Sequence, residues 1–141
     1  MNKTSNNIKI ENFLESRNVK PTAIRNMVMK YFYNKETASS LKQLEEHFDH
    51  SEMTTLYRTL NTFVENKILH TIDDGTGVKK YAKCVQGCEC SVDDLHYHFH
   101  CNKCKETLCL VDKKVNTFEL PLGFKMVEAN MVVKGFCSNC N

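Results

Sequence analysis

The chain has no apolar run approaching the ~20 residues of a membrane span, and its opening residues, MNKTSNNIKIENF, hold no apolar stretch of the length a secretion signal needs. These absences give the expectation of a soluble cytosolic protein with no membrane partner. Internal repeats and low-complexity segments are missing too, which excludes solenoid and linker-like architectures. Proline is scarce: Pro21 suits the start of a helix and Pro121 opens a turn. Also lacking are a HExxH helix, a nucleophile motif and a carboxylate placed to activate water beside a three-ligand metal site, so a zinc-dependent enzyme is disfavoured. Strong charge of one sign is absent as well. The net charge is +2, but residues 1 to 83 carry 13 Lys and Arg against 10 Asp and Glu, and residues 84 to 141 carry 6 against 7. That is a slight lean of the first half toward an anionic partner.

Cysteine is what the chain has in quantity, eight in 141 residues. In a reducing compartment that number argues for metal or redox chemistry over a disulfide framework. Two Cys-x-x-Cys pairs, Cys101 with Cys104 and Cys137 with Cys140, have the spacing that closes a four-thiolate tetrahedral Zn2+ shell. They predict a structural zinc staple in the C-terminal part. Upstream, Cys84, Cys88 and Cys90 lead into His96-Tyr-His98-Phe-His100, more ligands than one structural site can use. A chain this small buries little core, so metal and a partner subunit are both expected to support it.

Apolar residues recur at helical spacing over Ile10 to Leu14, Ile24 to Phe32 and Leu41 to Phe48, and again in a fourth segment from about Glu52 to Asn66. On that fourth helix Met53, Leu56, Leu60, Phe63 and Val64 share one face. Thr54, Thr55, Arg58, Asn61 and Thr62 share the other, with Tyr57 on the margin. Hydroxyls, amides and one guanidinium suit base edges and phosphates in a major groove, though the same face also fits an ordinary solvated helix. Next, 68–72 and 78–82 flank the Asp73-Asp-Gly-Thr-Gly77 reversal, a hairpin whose Lys79 and Lys80 can reach phosphate, though paired lysines on a hairpin are usually just solvated. Helices followed by a hairpin predict a winged helix-turn-helix over residues 1–83. A polar hinge follows at 84–95, then a small module over 96–141: strand 96–101, strand 106–111, helix 112–119, a turn, and strand 124–134. The expected fold class is α+β.

In order and spacing, Lys20-Pro-Thr-Ala-Ile-Arg25, Thr55-Leu-Tyr57-Arg58-Thr-Leu60, His96-Tyr-His98-Phe-His-Cys101-Asn-Lys-Cys104 and Gly135-Phe-Cys137-Ser-Asn-Cys140 together resemble the ferric uptake regulator family of bacterial metalloregulatory repressors. The resemblance covers about residues 10 to 140. It implies a winged-helix DNA-binding domain, a C-terminal domain that makes a homodimer, and a four-cysteine zinc site. By the same resemblance Tyr57 and Arg58 would meet the major groove beside Thr54 and Thr55. Lys20 and Arg25 would sit near the DNA backbone or minor groove, and the target would be double-stranded DNA carrying an A/T-rich inverted repeat.

The iron-sensing pattern of that family uses a His beside the third helix, a Glu at the end of the wing, two His on a strand and a Glu one strand later. Here those positions hold Ala38 or Ser39, Ala82, His96 with His98, and Cys109. The chain is instead similar to the zinc uptake regulator branch, with His70 in the wing, Cys90 in the hinge, and His96 and His98 as the expected regulatory set. Cysteine and histidine together suit borderline-soft zinc better than ferrous iron. The expected function is therefore a zinc-dependent repressor of metal-uptake genes, in which one ion fixes winged domains that otherwise wander on the hinge. Iron or peroxide sensing at the same site is the alternative within the family, and a zinc-stapled protein-interaction module the alternative outside it. Cys84, Cys88 and Cys109 offer further metal or redox chemistry, and His47, His50 and His100 read as surface or packing residues.

Overall fold

The computed structural model describes residues 2–49, 52–83, 96–116, 118–127 and 129–141. Four helices come first: α1 (Asn2–Ser16), α2 (Ala23–Tyr33), α3 (Leu41–His47) and α4 (Met53–Glu65). Helix α2 starts where Thr22 accepts the Arg25 amide on its hydroxyl at 3.3 Å. Helix α3 starts with a reciprocal cap between Ser40 and Gln43. The apolar stripes of these helices meet in one core around Leu14, Val28, Phe32, Leu44, Leu56, Leu60 and Phe63. Burying that many large side chains, at roughly 1.5–3 kcal/mol each, is what holds the helical half together.

A short strand β1 (Ser39–Ser40) and the hairpin of β2 (Leu69–Asp73) and β3 (Lys79–Lys83) form an antiparallel sheet in the order β1-β3-β2. The hairpin is the wing of a winged helix. Its turn needs glycine at Gly75 and Gly77, whose φ values are +84° and +82°. A second sheet, in the order β5-β4-β6, is built from β4 (His96–Cys101), β5 (Thr107–Lys114) and β6 (Val132–Gly135). Strand β4 runs antiparallel to β5 and parallel to β6. The two sheets are tied directly: Ala38 donates its amide to the Thr107 carbonyl at 2.7 Å, and Thr37 bridges Leu108.

Three sequence expectations change. Among the described residues of 112–119 no helix forms, because β5 continues through Lys114 in register with His96; beyond it, Val115 and Asn116 are weak helix formers. Among the described residues of the expected strand 124–134, only the stretch from Val132 is extended in a sheet, as the strand Val132–Gly135 that pairs with β4. Lys80 is buried at 9 % exposure and ion-paired instead of free for phosphate. The expected hinge 84–95, with Cys84, Cys88 and Cys90, lies outside the described residues, as does His50. Among the described residues no helix is long and apolar enough to cross a membrane.

Candidate metal centres

The first cluster follows from the parallel pairing of β6 with β4. Cys101 is the last residue of β4 and pairs with Gly135, so the knuckle Cys101 to Cys104 and the turn Cys137 to Cys140 are brought side by side. Lys105 closes the first knuckle with its amide on the Cys101 carbonyl, and Cys140 closes the second on the Cys137 carbonyl. All four sulfurs lie within 4.8 Å of one another. Cys104 Sγ and Cys137 Sγ are 3.9 Å apart. That is far from a disulfide bond and close to the ~3.8 Å edge of a zinc–thiolate tetrahedron with ~2.3 Å bonds. Amide hydrogens from Cys137 and Cys104 point at Cys101 and lower its thiol to about 5, while the hydrogen bond with Cys137 and burial push Cys140 up to about 12. Thiolate charge thus starts at Cys101, and the donor chemistry fits a four-thiolate metal site.

The second cluster spans the two sheets. His70, the second residue of β2, faces His96 and His98 on β4 and Cys109 on β5, and the four ligand atoms lie within 4.8 Å of one another. His98 and Cys109 are direct cross-strand partners, which places them side by side; His96 joins them because residues two apart share a strand face. His70 Nε2 stands 3.4 Å from His98 Nε2 and 3.3 Å from Cys109 Sγ. Edges of about 3.3–3.6 Å are what a tetrahedron with ~2.0–2.3 Å bonds to nitrogen and sulfur requires.

Burial and mutual repulsion with the other histidines hold His70 and His98 at about 4, so both are neutral ligands at pH 7. Burial pushes the Cys109 thiol up to about 12. An ion that binds there must displace its proton. The set contains no carboxylate, and this chemistry fits a divalent metal that accepts nitrogen and sulfur together.

The sequence offers Cys109 only as a further metal or redox thiol, outside the expected regulatory set; what joins it to the three histidines is its register opposite His98, which spacing along the chain does not carry. His100 is not a member of the cluster although it shares the strand face. It lies two residues, ~6.6 Å, further along β4, and its Nδ1 is 2.8 Å from Thr107 Oγ1. His47 packs against the Tyr31 ring at 4.9 Å.

On α4, Thr54, Thr55 and Arg58 are exposed, and Tyr57 is 46 % exposed beside them. Lys20 is exposed, and Arg25 donates to the Lys20 carbonyl at 2.9 Å, bracing the loop before α2.

Comparison with known proteins agrees with this architecture. Residues 16–134 match the model of the ferric uptake regulator family. The chain belongs to the ferric uptake regulator family. As a member it is a metal-responsive, DNA-binding transcription regulator and not an enzyme. It is 24 % identical to the ferric uptake regulation protein of Campylobacter jejuni, over 94 % of this chain and 87 % of that protein. With the zinc uptake regulation protein of Mycobacterium tuberculosis it shares 26 % identity, covering 70 % of this chain and 73 % of the relative. Among solved structures, a zinc uptake regulator complexed with zinc and DNA superposes with a TM-score of 0.67 at 18 % identity, over 99 % of this chain and 95 % of that one. The Helicobacter pylori ferric uptake regulator gives 0.57 at 14 % identity, over 94 % and 89 %. At such identities these two structures speak to the fold.

Proposed function

We propose that this family member is a zinc-responsive repressor of metal-uptake genes. It would act in the cytoplasm as a homodimer on double-stranded DNA with an A/T-rich inverted repeat. The observation that carries this reading is His70. It stands on the first strand of the wing, yet its ring nitrogen is within 3.4 Å of donors on both β4 and β5. A divalent ion held by His70, His96, His98 and Cys109 would tie the DNA-binding half to the C-terminal sheet. Three imidazoles and one thiolate favour zinc over ferrous iron, which prefers more oxygen and higher coordination. In this reading Cys101, Cys104, Cys137 and Cys140 hold a structural zinc.

The chain's own residues supply the rest. The neutral imidazoles of His70 and His98 are ready to bind without losing a proton. Exposed Thr54, Thr55, Tyr57 and Arg58 line the side of α4 turned from the core, where they can enter a major groove. Lys20 and Arg25 are read as backbone contacts. A second copy of the chain would cover the apolar side chains that Phe124, Val127 and Phe136 leave exposed. The likeness to a zinc uptake regulation protein and to a zinc uptake regulator complexed with zinc and DNA supports this choice of metal.

The test is metal competition on the anaerobically purified protein, followed by operator binding in zinc-buffered solution. Two zinc ions per chain, no iron, and DNA binding that rises with free zinc is the expected result. One zinc with one iron would replace the reading with iron or peroxide sensing.

A further inference from the structure

A buried charged network lies outside both metal clusters. Asp74, at the start of the wing turn, is fully buried. Its Oδ2 is 2.7 Å from Lys80 Nζ, accepts the Thr107 hydroxyl at 2.8 Å and is 3.3 Å from His100 Nδ1. Its Oδ1 accepts the amide and the hydroxyl of Thr76 at 3.1 and 2.6 Å. Lys80 also donates to the Lys105 carbonyl at 3.0 Å and to Thr107 Oγ1 at 3.2 Å. Thr107 has one hydroxyl proton and gives it to Asp74, so in the 2.8 Å contact with His100 it accepts from Nδ1–H.

Three of these residues, Asp74, Thr76 and Lys80, belong to the wing, and three, His100, Lys105 and Thr107, belong to the C-terminal sheet and its knuckle. The tip is seated on the same sheet. Asn130 donates to the Asp73 carbonyl, and a Cβ on Gly75 would come within 2.6 Å of Lys134 Nζ.

Carboxylates in wing turns are ordinarily solvated, and burying an ion pair costs desolvation that the pair itself seldom recovers. Such a pair is informative where it fixes one arrangement over others. The placement of this one is specific. Asp74 follows His70 by four residues, His100 follows His98 by two, and Thr107 precedes Cys109 by two. Each network residue is an even step along the chain from a member of the histidine–cysteine cluster. His98 with His100, and Cys109 with Thr107, therefore share a strand face. The wing meets the C-terminal sheet at two stations, one of metal donors and one of hydrogen bonds and charge.

We propose that Asp74 is a positioning residue that holds the wing on the C-terminal sheet without metal and so presets His70 opposite His98 and Cys109. The inference rests on reading those residues as the sensory site. Its consequence is that the ion selects a docked arrangement already populated, in place of gathering domains that wander freely. If only a fraction of molecules is docked, apparent metal affinity falls by that fraction.

The experiment uses the full-length protein with the four-cysteine cluster filled. Cobalt(II) is titrated into the second site in competition with a chelator, for the wild type and for Asp74→Ala, Thr107→Val, Thr107→Ser and His70→Ala. Asp74→Ala and Thr107→Val are expected to weaken cobalt binding at least tenfold while the absorption spectrum of the bound ion stays that of the wild type. Thr107→Ser, which keeps the hydroxyl, should bind as the wild type does. Wild-type affinity in both Asp74→Ala and Thr107→Val overturns the proposal. If His70→Ala also keeps wild-type affinity, it is the reading of the sensory site that fails; if His70→Ala alone loses the ion, only the role of Asp74 fails.

Should Asp74→Ala not fold, Thr107→Val, which conserves volume, decides. Hydrogen exchange gives a second readout on the protein lacking the second ion. The Thr76 and Ala38 amides should be protected in the wild type and exposed in Thr107→Val, and equal exchange in both overturns the proposal.

Discussion

His70 Nε2, on the wing strand, faces His98 Nε2, on the C-terminal sheet, at 3.4 Å. Two neutral imidazoles in that relation must share a proton or a cation between their lone pairs. The position of the wing and the chemical state of the pair are therefore one variable. A shift of an ångström or two between the sheets would break the contact, and anything that binds both nitrogens resists the shift.

Replacing His70 by Ala removes the one cluster member supplied by the wing. Losing a residue that merely supports a metal ligand typically costs ~10–100-fold in affinity, so loss of a ligand should cost more than ~100-fold. Zinc competition with a chelator should show this at the second site with the four-cysteine zinc retained, and operator binding should lose its response to zinc. Unaltered zinc response would assign His70 to packing.

Proton release identifies the thiol. Because burial holds Cys109 at about 12, its proton must leave when an ion binds, whereas His70 and His98, held at about 4, have none to give at pH 7. Calorimetry in buffers of different ionisation heat should find about one proton released per second-site ion. Cys109→Ser should abolish that release and Cys90→Ser should leave it; the reverse pattern would move the thiolate ligand to Cys90.

Stability of the protein without the second ion should depend on pH through the same histidines. Their folded-state values are near 4 against an ordinary 6.5. Between those values the unfolded chain binds more protons, so stability rises with pH. The contribution is fully present above about pH 6.5, is lost progressively as pH falls toward about 4, and changes no further below that. Urea denaturation across this range should show the slope, and His98→Ala should flatten it.

Arg58→Ala should weaken operator binding without changing metal content. If Arg58 meets a phosphate, the dependence of log affinity on log salt should become shallower by about 1; if it meets a guanine, discrimination at one base pair should fall by ~1–3 kcal/mol. Fluorescence anisotropy over a salt series separates the two. No change in either would leave the exposed face of α4 as a solvated surface.

Much of this molecule is written locally. The apolar spacing of α4 sets which side packs, and its core contacts Leu56, Leu60 and Phe63 follow directly. Thr59 shows the limit of that pattern: a polar residue, it is buried and satisfies itself by donating to the Thr55 carbonyl at 2.9 Å. A helix is expected over 112–119, yet pairing with β4 keeps the segment extended to Lys114. Lys80 is expected to be free for phosphate, and the docked wing instead buries it with Asp74.

The sequence alone determined the inventory: which thiols and imidazoles exist, that two Cys-x-x-Cys pairs are spaced for one ion, and that His96 and His98 share a strand face. Only the tertiary structure decided the partners. His70 and His98 are separated by 28 residues, and His70 and Cys109 by 39. Their meeting depends on the register of β4 with β5 and on the seating of the wing, both products of long-range pairing that no local spacing encodes.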